Sequence, residues 1–310
     1  MRKTFLFFLL LPYKLSFCPA VHTMYTEIND YQSDGLLISE VLFNPKVGGV
    51  DFIEIYNASS QSISLSNVQL ANLDTEGNIG NIKSLGTGSI SSRSFLVIST
   101  SSAKVKAHYY TPYPDLFLNL TALPAYNSSN GHVILLQNNN VIDRLDYTDK
   151  MHLSILNTVK GVSLERVSFN KTANATGNFV SAAASVGFAT PGYINSVQED
   201  PELKKDEITI NTKIFSPDGD GFDDTLKISW KLKHYGNIAT VSVFSDRGLL
   251  VRKLIKNESI AVTGTESWDG LNDRGEPCPY GIYFVVFNSF DINGSSVKLK
   301  KAFAVAGKFK

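Results

Sequence analysis

Four aspartates crowd into one short stretch in the C-terminal half of the chain. They are Asp218, Asp220, Asp223 and Asp224 in the sequence SPDGDGFDD, residues 216–224. Carboxylate oxygens on a glycine-containing loop suit Ca²⁺, which accepts several carboxylate and carbonyl ligands in a flexible geometry. The stretch is not an EF-hand, because no glycine stands at the sixth position of the loop and no glutamate at the twelfth. A tight turn whose aspartates cap their own backbone is the alternative, and both interpretations stay open.

The sequence holds no other pattern that predicts chemistry. It has no G-x-S-x-G, no H-E-x-x-H, no phosphate-binding loop and no paired-carboxylate helix. Its histidines are scattered along the chain, at His22, His108, His132, His152 and His234. The sequence therefore predicts a protein that is not an enzyme, although a triad assembled by the fold is not excluded by sequence.

The first twenty residues have the composition of a signal peptide. Arg2 and Lys3 give a positive start, Thr4–Leu11 forms a short apolar core, and small residues follow. The apolar run is shorter than the ~20 residues that span a bilayer, which argues against the alternative of a retained anchor. A lipoprotein acylated at Cys18 is a further alternative, disfavoured by the bulky Phe17 before it. No later stretch predicts a transmembrane segment, so none is expected after signal cleavage.

One cysteine remains once the signal peptide is removed. Cys278, in the sequence Pro-Cys-Pro, then has no partner for an intramolecular disulfide, and no zinc-ligand spacing is present. A reactive thiol is one interpretation. A plain loop cysteine is favoured, because no base-bearing pattern accompanies it.

Length and composition indicate two globular domains. A chain of 310 residues fits two domains of ~150 residues each. A hydrophobic content of 43% with 19% charged residues is typical of globular proteins rather than disordered ones. The 29 basic and 29 acidic residues balance, so there is no overall basic field for a phosphate backbone and nucleic acid is not an expected partner.

The stretch from Leu36 to Asn57 organises the first domain. Two short apolar runs, Leu36–Phe43 and Asp51–Tyr56, flank a segment rich in Gly, Pro and Asn, which predicts strand, turn, strand. Each run carries a glutamate in its middle, Glu40 and Glu54. A carboxylate inside an apolar strand is costly unless it is paired or points outwards at a sheet edge.

Short β-type runs continue to about residue 196 and are separated by Asn, Gly, Ser and Pro. The sequence Asn138-Asn139-Asn140 between two of them predicts a hairpin turn, because Asn tolerates left-handed backbone angles. Many short strands with such turns favour a β-sandwich over residues 36–196. Residues 21–35 would form a lead-in to this domain.

A charged stretch, residues 197–206 (VQEDPELKKD), interrupts this pattern and predicts an exposed linker. Beyond it, Leu226–Leu232 alternates apolar and polar residues as a half-buried strand does. Further runs at Val241–Phe244, Leu249–Leu254, Gly281–Phe287 and Val297–Val305 predict a second β-domain over residues 207–310. The fold class predicted is all-β: two sandwich domains in tandem after a signal peptide.

Four motifs mark the first domain: ISEVLFNP and DFIEIYN near the start, and VSLER (162–166) and TPGYIN (190–195) near the end. With these motifs it resembles the lamin tail domain family, an immunoglobulin-like β-sandwich that also occurs in secreted bacterial proteins. The resemblance covers Leu36–Ser196 and implies no reaction. It favours a structural ion pair as the role of Glu165 and Arg166, with a binding site as the alternative.

The segment Lys104–Tyr126 is longer than this family leads us to expect. It carries Tyr109, Tyr110 and Tyr113 beside prolines. Rigid aromatic side chains bind partners at low entropic cost, so the segment is a candidate recognition surface. A loop folded over one end of the sandwich is the favoured interpretation.

Three motifs follow one another in the second domain: SPDGDGFDD, VFSDRGLLVRKL and WDGLNDRGEPCPYGIYFVVF. With these motifs it resembles the FlgD-like immunoglobulin domain and the C-terminal modules of gliding-motility and type IX-secreted surface proteins. The resemblance covers residues 207–310. It implies that this domain is read by a secretion machinery or holds the protein at the cell surface.

Together the resemblances imply a non-enzymatic exported protein, at the cell surface, in the outer membrane or outside a Gram-negative bacterium. The lamin tail sandwich would serve as a binding or structural module, with a protein or a cell-surface polysaccharide as partner. The alternative is an accessory module of an extracellular nuclease- or phosphatase-type hydrolase system, because lamin tail domains occur beside such enzymes. Against it, the two sandwiches leave no span for a catalytic domain.

Overall fold

The structure, a computed structural model, describes residues 35–292 and 294–307. The predicted signal peptide, residues 1–20, lies outside the described residues, as do residues 21–34 of the predicted lead-in. In residues 35–292 and 294–307 the regular secondary structure is almost all strand, with one short helix and two 3₁₀ turns, which confirms the predicted all-β class.

The first sandwich pairs a six-stranded sheet, ordered β12-β11-β1-β2-β7-β8, with a four-stranded sheet, ordered β10-β9-β4-β5. A small two-stranded sheet, β3-β6, lies beside them. The strands are β1 (Leu36–Leu42), β2 (Phe52–Asn57), β3 (Ile63–Ser64), β4 (Val68–Leu73), β5 (Ile79–Ser84), β6 (Ser89–Ile90), β7 (Phe95–Ser99), β8 (Phe117–Asn119), β9 (Asn130–Gln137), β10 (Asn140–Thr148), β11 (Leu164–Arg166) and β12 (Phe179–Ser181). Single 3₁₀ turns occur at Asp149–Met151 and Ala184–Val186.

Apolar residues that alternate along the strands of both sheets point inward and form the core between the sheets. Ile38, Val41 and Ile53 of the larger sheet pack with Leu70 and Leu135 of the smaller one, and all are fully buried. Burial of this kind stabilises a sandwich by roughly 25 cal/mol per Å² of apolar surface. The predicted hairpin at 138–140 is confirmed, since Asn138 and Asn139 have φ angles of +51° and +63° between β9 and β10.

The outer face of the six-stranded sheet is covered as well, which explains why β1 and β2 are apolar on both sides. The helix α1 (Ser102–His108) overlaps the start of the long segment Lys104–Tyr126. Val105 of the helix and Tyr109 just after it pack on Phe52 and Val97 of that face. Tyr110 and Tyr113, by contrast, are exposed. Residues 188–197, named here the closing segment, cover the remainder of the face through the contacts described below.

The second sandwich pairs a three-stranded sheet, ordered β13-β15-β18, with a five-stranded sheet, ordered β14-β20-β19-β16-β17. The strands are β13 (Glu207–Ile210), β14 (Ile214–Phe215), β15 (Leu226–Lys231), β16 (Asn237–Ser245), β17 (Leu250–Ile260), β18 (Thr263–Trp268), β19 (Gly281–Phe290) and β20 (Ser296–Val305). Its core is aromatic: Trp268 packs against Phe215, Tyr283 and Phe303 at centroid distances of 5.4, 5.7 and 5.6 Å.

The two sandwiches touch through short segments. Val262 N donates to Ser196 O at 2.8 Å, and Ala184 N donates to Ser259 Oγ at 2.8 Å. Tyr235 packs beside Val197. Between the sandwiches, residues 200–202, 204 and 205 are exposed. The domain boundaries at 36–196, 197–206 and 207–310 stay a prediction.

Candidate functional site

The loop between β14 and β15 brings three of the four predicted ligands together. Carboxylate oxygens of Asp218, Asp220 and Asp224 lie within 4.8 Å of one another. Asp223 is not among them; it has a φ angle of +50°, and its carbonyl accepts a hydrogen bond from Ser216 N. A cluster of this size, open to solvent, offers oxygen ligands of the kind that Ca²⁺ takes.

Backbone amides of the same loop also use these carboxylates. The two oxygens of Asp224 accept hydrogen bonds from Gly219 N and Gly221 N, each at 2.7 Å. These bonds, with Gly221 the larger cause, hold the pKa of Asp224 below its usual value. Asp220 Oδ1 accepts from Phe222 N at 2.9 Å. The loop therefore has the geometry of a turn whose aspartates cap their own backbone. The same carboxylate oxygens have further lone pairs that a cation could use.

A second cluster of carboxylates, which the sequence only hinted at, lies in the first sandwich. Glu40 is the direct cross-strand neighbour of Glu165 on one side and of Glu54 on the other. The three form a row across β11, β1 and β2 on the outer face of the sheet, and each is fully buried. Like charges directly opposite one another destabilise a sheet, so the row must hold protons.

The closing segment supplies the hydrogen bonds that this carboxylate row needs. Thr190 N donates to Glu40 at 3.0 Å, and the Thr190 hydroxyl donates to Glu165 at 2.7 Å. Gly192 N donates to Glu54 Oε2 at 2.6 Å, and Ser196 Oγ donates to Glu165 Oε2 at 2.6 Å. The TPG sequence at 190–192 thus supplies two backbone amides and one hydroxyl that donate to the carboxylate row.

Burial sets the proton affinity of the row. It raises the pKa of Glu40 well above the usual value, and the charges of Glu165 and Glu54 raise it further. Burial also raises the pKa of Glu54 well above its usual value. For Glu165, burial raises the pKa to about 7, against the lowering effect of its hydroxyl donors. These glutamates are not accessible to a substrate; they fasten the closing segment to the sheet.

Glu165 and Arg166 do not pair with each other. Neighbours on a strand point to opposite faces, so Glu165 joins the buried row while Arg166 points into the sandwich. There Arg166 Nη1 donates to Asp143 Oδ2 of β10 at 2.6 Å. The predicted ion pair between Glu165 and Arg166 is therefore wrong: Arg166 pairs with Asp143, which no sequence pattern indicated.

The histidines and the cysteine form no catalytic arrangement among the described residues. His152 Nδ1 lies 2.9 Å from Ser181 Oγ, but both are buried, and burial lowers the pKa of His152 to about 4. His132 contacts Asp146 on the surface of the four-stranded sheet. Cys278 packs at the edge of the second core, where burial raises the pKa of its thiol and keeps it protonated.

Two family models match the chain. Residues 29–149 match the Lamin Tail Domain, and residues 208–304 match the CHU_C Type IX secretion signal domain. Both family resemblances read from the sequence are thereby confirmed: a lamin tail domain at residues 29–149 is followed by a type IX secretion signal domain at residues 208–304. The first match ends before the VSLER and TPGYIN motifs, so the extent of the first resemblance to residue 196 stays a prediction. The second match implies export through the type IX machinery. Neither matched family is a catalytic one.

Solved structures give weaker similarities. FlgD from P. aeruginosa is 26% identical over 26% of this chain and 61% of that protein, with a TM-score of 0.22. PorU from Porphyromonas gingivalis is 10% identical over 88% of this chain and 20% of that protein, with a TM-score of 0.27. PorZ from the same organism, a surface component of the type IX secretion system, is 11% identical over 87% and 38%, with a TM-score of 0.25. These scores are too low to establish a shared fold.

A search of curated proteins found no match to the sequence. Between residues 35 and 307, leaving out the undescribed residue 293, no helix has the length and apolar character needed to cross a bilayer.

Proposed function

We propose that this protein is a non-enzymatic component of the cell surface, in which the lamin tail sandwich is a binding or structural module and the C-terminal sandwich is the export address. The observation that carries the proposal is the type IX secretion signal domain at residues 208–304, which contains the complete core of the second sandwich. We also propose that the exported protein is retained at the cell surface rather than released.

The buried chemistry supports a module without catalysis. The carboxylates of Glu40, Glu54 and Glu165 are sealed beneath the closing segment, and the His152–Ser181 pair is buried. A general acid or base must come within hydrogen-bond reach of its substrate, which these groups do not.

A shallow groove beside the closing segment supports the binding role. Its walls include Tyr56, Arg93, Phe169, Lys171 and His234. The rings of Tyr56 and Phe169 stack at a centroid distance of 4.4 Å, and the same groove is also lined by the acidic residues Glu199 and Asp200. Half-exposed aromatic rings with polar neighbours fit a protein or a polysaccharide, the two partner classes that the sequence led us to expect.

Deletion of residues 206–310 tests the proposal. The intact protein and the truncated protein are expressed in the producing bacterium, and surface exposure is measured by protease shaving of intact cells. We expect the intact chain to be shaved and the truncated chain to be retained inside the cell. A truncated chain that reaches the surface at the normal level would show that the second sandwich is a spacer.

A further inference from the structure

The outward face of the five-stranded sheet in the second sandwich has an ordered pattern of apolar and basic residues. At one end, Ile214 neighbours Ala304, and Ala304 neighbours Ile282. In the next row Phe284 lies between Ala302 and Phe244. Leu250 of β17 continues that row beside Phe244. None of these side chains belongs to the core on the other side of the sheet.

Lysines occupy the two flanking strands further along the same face. Lys298 and Lys300 lie on β20, and Lys253 and Lys256 lie on β17 at the opposite side. All four are exposed, and Lys300 Nζ lies 3.9 Å from the ring centroid of Phe284, which places both on one face.

No acidic residue occupies a strand position on this face within the described residues. Glu258 of β17 instead lies near Glu266 of the other sheet: burial raises the pKa of Glu266, and the charge of Glu258 raises it further. Asp246 lies in the turn after β16, at the apolar end of the face that carries Phe244 and Phe284 and away from the lysines.

We infer that this face is the surface by which the domain docks onto a protein of the secretion machinery, one that presents apolar side chains flanked by carboxylates. The inference rests on the proposed function, since it assigns the address to one face of the domain. Exposed Ile214, Leu250 and Ile282, at 59%, 46% and 58% exposure, supply the apolar contact. Flanking charges of one sign set the orientation and reject partners without matching carboxylates.

The lysines have a structural alternative: β17 is an edge strand, β20 is paired with β14 only at Ala304 and Val305, and lysine protects such open edges from aggregation. Replacing lysine by glutamate separates the two roles: a glutamate still keeps the edge charged, whereas it repels an acidic partner. The test variant therefore carries Lys253→Glu, Lys256→Glu, Lys298→Glu and Lys300→Glu in the full chain. The matched control carries Lys227→Glu and Lys231→Glu, on the exposed face of β15 in the other sheet.

Surface exposure in the producing bacterium is the measurement, with the deletion of 206–310 in parallel. We expect about a tenfold or larger loss of shaved protein for the four-lysine variant and for Ile282→Ser with Leu250→Ser, and none for the control. Normal display of both variants, with the deletion still retained inside, overturns the inference and leaves the proposed function standing. Normal display of the deletion overturns the proposed function itself. Unchanged thermal melting of each purified variant excludes misfolding, and a variant that melts lower is replaced by its single substitutions.

Two further measurements test the choice of occupant. Co-sedimentation of the purified full chain with vesicles of about one-third anionic lipid, lost in the four-lysine variant, would make the face a membrane surface and overturn the protein partner. Sedimentation velocity showing a dimer that Ile282→Ser breaks would make the occupant a second copy, which also overturns the inference. We expect a monomer that does not sediment with the vesicles.

Discussion

Arg166 and Asp143 join the two sheets of the lamin tail sandwich, Nη1 to Oδ2, at 2.6 Å, with side-chain exposures of 0% and 4%. The same two groups satisfy the backbone of Ile38, where β1 is irregular: Asp143 Oδ2 accepts from Ile38 N at 2.9 Å, and Arg166 Nη1 donates to Ile38 O at 3.0 Å. Arg166 also donates to the carbonyls of Ser168 and Lys171. The buried guanidinium therefore connects three chain segments: β1, β10 and residues 168–171.

Replacing Asp143 by Ala should lower the free energy of unfolding by about 3–5 kcal/mol, because the buried Arg166 charge loses its partner. Arg144→Ala is the matched control. Its partner Asp146 is half exposed, so the cost should be about 0–1 kcal/mol. Urea denaturation of the full chain measures both, and equal costs for the two variants would contradict the prediction.

Removing both charges does not restore stability. Buried ion pairs can often be exchanged for apolar residues at little cost, but here the exchange leaves Ile38 N and Ile38 O unpaired. Each lost backbone partner costs about 1–3 kcal/mol. The variant Asp143→Leu with Arg166→Met should therefore remain at least about 2 kcal/mol less stable than the parent. Parent-like stability would show that water or another group replaces the pair.

Local patterns account for most of the fold. The alternation of Leu226, Ile228 and Trp230 with lysines predicted a half-buried strand, and β15 has that burial pattern. The asparagines at 138 and 139 predicted the turn they form. In both cases the residues that determine the strand or the turn lie within the strand or the turn itself, so sequence alone was enough to predict it.

The candidate sites depend on contacts that no local pattern encodes. Asp143 lies 23 residues before Arg166, and Gly192 lies 138 residues after Glu54. The sequence singled out Glu40 and Glu54 because a carboxylate in an apolar strand is costly to bury. Their hydrogen-bond donors Thr190 and Gly192, however, lie at the far end of the domain. Glutamate in a strand was expected to be paired or at an edge; in fact β1 and β2 are inner strands, and protons and donors replace counter-charges.

Stability should fall as the pH rises from about 4.5 to about 7. The folded state keeps a proton on Glu165, whose pKa is about 7, whereas the unfolded chain releases it at about 4.5. The folded state therefore binds more protons in this window, and each added pH unit costs up to about 1.4 kcal/mol for this group. Burial raises the pKa of Asp51 to about 6, and this acts in the same direction.

Urea denaturation of the parent and of Glu165→Gln at several pH values checks this prediction. The variant keeps an amide that can both accept from and donate to the hydroxyls of Thr190 and Ser196, so its stability should depend less steeply on pH. His152, with a pKa lowered to about 4, opposes the trend between pH 4 and 6.5 in both proteins and cancels in the comparison. Parallel pH profiles would contradict the assignment to Glu165.

Calcium should raise the melting temperature of the second sandwich if the three clustered aspartates bind it. Binding to the folded state alone stabilises by mass action. The full chain is melted with millimolar calcium and with chelator. We expect an upward shift in the parent that is lost in Asp220→Ala with Asp224→Asn.

Asp223→Asn is the control for calcium, because Asp223 lies outside the cluster and asparagine tolerates its positive φ. It should keep the calcium shift. Superimposable curves for the parent, or a shift that survives the double substitution, would contradict a calcium site and leave the loop as a self-capped turn.

Limited trypsin digestion should cut first at Lys204 and Lys205. These lysines are exposed in the stretch between β12 and β13, and few contacts hold their backbone. A cut there should release two resistant fragments, since each sandwich has its own core, and the sandwiches touch through few hydrogen bonds such as Val262 N to Ser196 O. The fragments are identified by mass spectrometry and separated by gel filtration. First cuts between Phe95 and Tyr147, or a chain that resists cleavage at 204–205, would show that the two sandwiches do not behave as separate folding units.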